Sequence, residues 1–224
     1  MRLLLNEKIL NIASVPGGIV AAVLSEVTDD GKMVVEYRLV SVDSNEVQRV
    51  SSNVYLLAKF GAGHKAAQMQ VKNHLTCISC ILKSEMLIIE DDTSAKLINE
   101  DGIASWVGII KYKDEPACDA VFDGKNIWVS FQKNNALIRL DGESMREQLR
   151  IGGKSGDSRF SGPCGLFFEN GELYVTNSGS NQIWKINTDT YSAEQYMEFN
   201  EPVYDYVKIN SSEIVLLESG LYLV

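Results

Sequence analysis

With 30 acidic against 21 basic residues in 224, a net charge of −9, the chain lacks the basic footprint by which proteins hold nucleic acid or an anionic membrane surface. Its hydrophobic content of 45% with 23% charged residues is that of a globular protein, and the length suits one sizeable core better than two. No apolar run reaches the roughly eighteen residues that a membrane-spanning helix needs.

Residues 1–8 carry three leucines and then turn polar, too short an apolar region for a secretory leader. Four cysteines without such a leader are expected as reduced thiols in the cytoplasm.

Along the chain, the four prolines fall at one position of a recurring pattern: Pro16, Pro116, Pro163 and Pro202 each precede an apolar run, and a further copy begins at Leu75 without the proline. After each run comes a turn, at Asp30-Gly31, Lys83-Ser84, Asp123-Gly124, Asn170-Gly171 and Asn210-Ser211, followed by a second apolar run. Starts near 16, 75, 116, 163 and 202 give spacings of 59, 41, 47 and 39 residues. Four-stranded propeller blades repeat every ~40–50 residues, and alternation with period two, without a helical stripe, makes the chain all-β.

The clearest copy spans residues 161–190. Leu166 to Glu169, Glu172 to Asn177 and Gln182 to Ile186 read as three strands, and Asn170-Gly171 between the first two predicts a tight type I′ hairpin, which needs two residues tolerant of positive φ. Arg159-Phe160-Ser161-Gly162-Pro163-Cys164-Gly165-Leu166, then Leu173-Tyr174-Val175-Thr176-Asn177, then Asn181-Gln182-Ile183-Trp184-Lys185-Ile186 resemble one NHL-type β-propeller repeat. Tyr174-Val175-Thr176-Asn177 is also the signature tetrapeptide of the related YVTN repeats, and the resemblance covers about thirty residues. It implies a blade, not an activity.

The last copy is one strand short, and residues 8–14 precede the first proline as an extra strand. The expected fold is therefore a single domain over residues 1–224, a five-bladed β-propeller closed by an N-terminal strand that completes the C-terminal blade. A truncated six-bladed ring is the rival, disfavoured by the complementary strand counts at the two ends.

Chemistry in such a ring belongs where the innermost strands begin. Two copies share the spelling Glu-Pro-x-x-Asp, giving Glu115, Asp119, Glu201 and Asp205 at matching places. A carboxylate on an inward-facing strand needs a partner, since a buried charge is costly unless paired, hydrogen-bonded or metal-bound. One reading is a divalent cation, Ca²⁺ or Mg²⁺, held by these acids at a channel mouth, with His74 as a further ligand or as general base. The resemblance extends to propellers of the gluconolactonase type, which hold a channel metal, and it implies a metal-dependent hydrolase or lyase of lactonase-like type as one function. The other reading places Glu115 and Glu201 on exposed loops, with Asp119 and Asp205 accepting hydrogen bonds from backbone amides.

Cys77, Cys118 and Cys164 each follow a repeat start within two residues, and Cys80 completes a C-x-x-C inside a strand, where positions three apart face opposite sides. Packing as small apolar side chains is one reading and a thiolate cluster the other. Trp106, Trp128 and Trp184 are expected in blade packing. His64 and His74 are the only histidines, there is no Gly-x-Ser-x-Gly elbow, and the glycine-rich loop at 152–157 lacks the ending of a phosphate-binding loop. Without a complete catalytic constellation, the leading expectation is a binding or scaffold propeller that presents loops to a protein or small-molecule ligand, with neither nucleic acid nor membrane as partner.

Overall fold

The structure, a computed structural model, describes residues 1–15, 17–27, 33–50, 78–82, 85–89, 93–99, 103–153 and 159–224. Pro16, His64, His74, Leu75, Cys77, the loop at 61–65, the turns at Asp30-Gly31 and Lys83-Ser84, and the side chain of Cys80 lie outside the described residues.

Five four-stranded antiparallel sheets form the blades of the expected propeller. Strand β1 (Arg2–Leu5) comes first, and blade 1 follows as β2 (Ile9–Val15), β3 (Ile19–Val27), β4 (Met33–Ser41) and β5 (Val47–Val50). Blade 2 is β6 (Ile78–Leu82), β7 (Glu85–Ile89), β8 (Ser94–Ile98) and β9 (Ala104–Ile109). A two-residue pairing of β10 (Lys111–Tyr112) with β11 (Glu115–Pro116) leads into blade 3, made of β12 (Asp119–Phe122), β13 (Asn126–Phe131), β14 (Ala136–Asp141) and β15 (Glu147–Gly152). Blade 4 is β16 (Pro163–Glu169), β17 (Glu172–Asn177), β18 (Gln182–Asn187) and β19 (Ala193–Glu198). Blade 5 contains β20 (Val203–Ile209), β21 (Ser212–Leu217) and β22 (Gly220–Leu223), and β1 pairs antiparallel with β22 as its outermost strand.

Closure by the N-terminus is as expected, but the closing strand is Arg2–Leu5 and not residues 8–14. Those residues instead build β2, which packs beside β20 as the innermost strand of blade 1. The first blade therefore starts near Ile9, and position 16 falls between β2 and β3 rather than ahead of an inner strand. The cause is local: β2 and β3 pair directly, from Ile9 with Leu24 through Val15 with Ile19.

Burial explains the blades. Every residue of β13 is buried, because the middle strands are covered on both faces by neighbouring sheets. The apolar side chains collect in layers between blades: Leu87, Ile89 and Leu97 against Ile127, Val129 and Ile138; Trp128 and Leu137 against Leu173, Val175 and Ile186; Ile12 and Val20 against Ile214 and Leu216. The turn between β16 and β17 has Asn170 at φ 51° and Gly171 at φ 81°, the two positive values of the hairpin read from the sequence. Asn135 and Asn181, at φ 50° and 59°, fill the corresponding left-handed place in the hairpins before β14 and β18.

Candidate functional site

The two Glu-Pro-x-x-Asp copies divide their acids between two tasks. Glu115 is buried, not an exposed loop acid: its carboxylate accepts from Lys133 N (2.5 Å), Asn134 N (2.8 Å) and Asn134 Nδ2 (2.7 Å), covering the hairpin between β13 and β14 of its own blade. Glu201 does the same one repeat later, accepting from Ser219 N at 2.8 Å and Ser219 Oγ at 2.7 Å between β21 and β22. In blade 4, where Ser161 stands in the acid's place, a backbone carbonyl takes over: Gly179 N donates to Ser161 O at 2.9 Å.

The aspartates join blades. Asp119 accepts from Ala120 N through Oδ1 and from Leu166 N of blade 4 through Oδ2, both at 2.8 Å. Asp205 accepts from Tyr206 N at 2.8 Å through Oδ1 and from Ile12 N of blade 1 at 3.2 Å through Oδ2. The residue that corresponds to them in blade 4 is Gly165. Ser130 Oγ accepts from Asp119 N at 3.0 Å and donates to Cys164 O at 2.5 Å, while Thr176 Oγ1 accepts from Gly165 N at 2.7 Å and donates to Tyr204 O at 3.0 Å. A Cβ at Gly165 would lie 2.5 Å from Asp205 Oδ1 and 2.7 Å from Asp205 Cα, so the glycine makes room for the next blade's aspartate.

These inner strands begin around a cavity of about 320 Å³, lined among others by Glu7, Asp119, Asp205 and Glu218. Asp119 and Asp205 are thus brought together, whereas Glu115 and Glu201 lie away at the hairpins. Among the described residues, no group of three or more His, Cys, Asp or Glu side chains is arranged to hold a metal ion.

The cavity also collects residues that the sequence pattern does not single out. Glu7 grips Arg38, a residue only 1% exposed, with Oε1 to Nε and Oε2 to Nη2 both at 2.9 Å. Tyr204 donates its hydroxyl to Glu218, and that hydrogen bond, with burial and the glutamate charge behind it, pushes the phenol up to about 12. Lys8 is the cation of the lining.

Cys118 and Cys164 both line this space from successive blades, and both are free thiols. The neighbouring Cys118 thiol draws the pKa of Cys164 down to about 6 against the opposing effect of burial, helped by Thr176, Ser178 and the Gly165 amide. Cys118 is pushed well above the usual thiol range by the same pairing, by burial and by the charges of Cys164, Asp119 and Asp205.

The WD40 β-propeller domain of Doa1 aligns with 95% of this chain at a TM-score of 0.53 and 11% identity, the chain spanning 62% of it. The fold is that of the β-propellers. A further similarity is to the computationally designed Ika8 protein, at a TM-score of 0.52 and 10% identity over 95% of this chain and 71% of that one. The RRP9 WD40 repeats match at a TM-score of 0.53 and 13% identity over 68% of this propeller and 52% of theirs. No family model matches the chain, and no curated protein matches it. No helix among the described residues is long and apolar enough to cross a membrane.

Proposed function

We propose that this propeller is a binding module whose axial cavity receives a basic, nitrogen-bearing group from a protein or small-molecule partner. The observation that carries this reading is the lining itself: Asp119, Asp205 and Glu218 converge on one space with Lys8 as its cation, while Glu7 is paired with Arg38, in a chain of net charge −9. Opposite charge raises encounter rates and rejects acidic competitors, so the preferred ligand is an amine or a guanidinium. Because Asp119 and Asp205 already hold backbone amides, they supply fixed negative charge without needing to move. The Tyr174-Val175-Thr176-Asn177 segment on β17 favours the NHL/YVTN repeat type within the propellers.

Titration calorimetry with a short lysine- or arginine-rich peptide, and with a glutamate-rich peptide as control, tests the reading. Binding of the basic peptide that weakens with added salt and on Glu218→Gln supports it; equal heats from both peptides, or none at millimolar concentration, overturn it.

A divalent cation is the second reading, favoured by the shared placement of Asp119 and Asp205 in the cavity. A cation at a hundredfold excess over its Kd raises stability by about 2.7 kcal/mol, so melts of the unmodified, metal-stripped protein with Ca²⁺, Mg²⁺, Mn²⁺ or Zn²⁺ decide it. Replacing either aspartate would not, since both hold the blades together. Nothing on the described residues favours the hydrolase or lyase, and only ion binding is carried forward.

A further inference from the structure

Cys118 and Cys164 stand at the same step of two adjacent inner strands, each immediately before the residue that the Ser130 or Thr176 hydroxyl caps. Both border the axial cavity, and the two are held by different blades that Asp119 and Ser130 already tie together through Leu166 N and Cys164 O. We propose that Cys118 and Cys164 are a reversible dithiol–disulfide pair across blades 3 and 4, oxidised by hydroperoxides that enter through the cavity. This goes beyond the binding reading and does not depend on it.

The roles differ by environment. Cys164 Sγ lies 3.5 Å from Thr176 Oγ1 and is only 4% exposed, while Cys118 is half-buried on the cavity side. The lowered pKa of Cys164 favours its thiolate, the form that acts as nucleophile. That thiolate attacks a peroxide oxygen, the O–O bond breaks, and the departing alkoxide or hydroxide is protonated to an alcohol or water. The sulfur is left as a sulfenic acid. Cys118 sulfur then attacks it: the S–S bond forms, the S–OH bond breaks, and hydroxide leaves with the Cys118 proton as water. Two thiols and one hydroperoxide thus give one disulfide, one alcohol or water and one further water, and two electrons pass from sulfur to the peroxide. A dithiol reductant reverses the bond by exchange.

Because the chain has four cysteines, the unmodified protein is treated with one equivalent of hydrogen peroxide, alkylated and mapped without reduction. The expected result is a linked pair of peptides carrying Cys118 and Cys164, the loss of two free thiols per chain, and recovery of both with dithiothreitol. Cys118→Ser is expected to leave a sulfenic acid on Cys164 that dimedone traps, and Cys164→Ser to leave Cys118 unoxidised at the same dose. Linkage to Cys77 or Cys80 instead, full alkylation of both cysteines after peroxide, or no dimedone adduct in folded Cys118→Ser overturns the proposal.

Discussion

Asp205 Oδ2 accepts from Ile12 N across the junction of the last and first blades, as Asp119 Oδ2 accepts from Leu166 N between the third and fourth. Each carboxylate also holds the amide that follows it, so a single side chain fixes its own strand and its neighbour's. Both aspartates are buried, so an amide that loses its acceptor there bears a desolvation cost. Asp119→Ala and Asp205→Ala are therefore expected to lose about 1.5–3 kcal/mol each in urea unfolding. Asparagine is expected to recover only part, because one of its two terminal atoms is a donor facing a donor. Wild-type stability in either alanine variant would remove the aspartate from the inter-blade junction.

Gly165 is the counterpart of those aspartates, and its demand is opposite. Its missing Cβ leaves room for Asp205 Cα and Tyr204 O, each of which would be 2.7 Å from an added carbon. Both obstacles are backbone, unable to swing aside as a side-chain tip does. Gly165→Ala is expected to cost about 3 kcal/mol or more, at the upper end of overpacking penalties, or to prevent folding. The Gly171→Ala control tests a different effect: no atom lies within 4 Å of its Cβ, but φ is +81°, so its smaller loss reflects backbone strain alone. The ratio of the two losses, measured by thermal unfolding, separates crowding from strain.

How much of this was legible in the sequence differs by level. Turn chemistry was: Asn170 and Gly171 adopt the positive φ that their types favour, and the repeat starts at Pro116, Pro163 and Pro202 sit at the heads of blades 3, 4 and 5. The register inside a blade was not. Counting three residues on from each proline aligns Asp119 with Leu166, but Pro163 pairs with Asn177 as Val203, and not Pro202, pairs with Leu217, so the true counterpart is Gly165. A proline one place further along its strand leaves the residue types of the pattern unchanged, so spacing alone cannot reveal the register. The proline count misled at the first blade too, where the inner strand β2 precedes position 16 in the chain. The cavity lining combines Glu7 and Glu218 from the two ends of the chain, a proximity that only ring closure creates.

The two hairpin-covering glutamates offer a matched comparison. Glu115 is 6% exposed and accepts three hydrogen bonds, two of them from backbone amides, whereas Glu201 accepts two from Ser219 and stands closer to solvent. Solvent replaces lost hydrogen bonds at the second site and not at the first. Glu115→Ala is expected to cost about 2–3 kcal/mol and Glu201→Ala about 1 kcal/mol or less, read from denaturant midpoints at constant slope. Equal losses would mean that burial does not set the difference.

Arg38 is the most deeply buried cation of the described fold, paired with Glu7 at 2.9 Å and Glu36 at 2.7 Å. Glu7 lies between β1 and β2, so the bridge ties the closing strand of blade 5 to the third strand of blade 1. Breaking a buried pair from one side leaves an uncompensated charge, at a cost of about 3–5 kcal/mol. Arg38→Ala would orphan two glutamates that are each about 30% exposed and can recover some hydration, so a loss near the lower figure is expected. Glu7→Gln should cost less, because Glu36 remains. A double-mutant cycle with coupling near zero would show that Arg38 acts through its packing alone.

Tyr204 links the cavity to pH. Its hydroxyl donates to Glu218, and the folded protein holds its pKa up to about 12, above the ordinary tyrosine value. A group whose folded value is raised contributes its full stability below the unfolded value, and that contribution disappears as pH rises through the folded one. The unfolded value lies near 10, so the contribution of Tyr204 should be constant through neutral pH and fade between about 10 and 12. Tyr204→Phe removes the hydrogen bond at all pH values and should flatten that part of the alkaline profile. Ultraviolet titration of tyrosinate should show one phenol ionising about two pH units above the ordinary value in wild type and absent in Tyr204→Phe. Tyr206 is raised too, first by burial and then by the charge of Glu213, so its ionisation should appear only as the fold is lost, in both proteins alike. If Tyr204→Phe leaves the titration unchanged, the Glu218 contact is not formed in solution, and the Glu218→Gln arm of the peptide titration should then be read as loss of a freely available carboxylate.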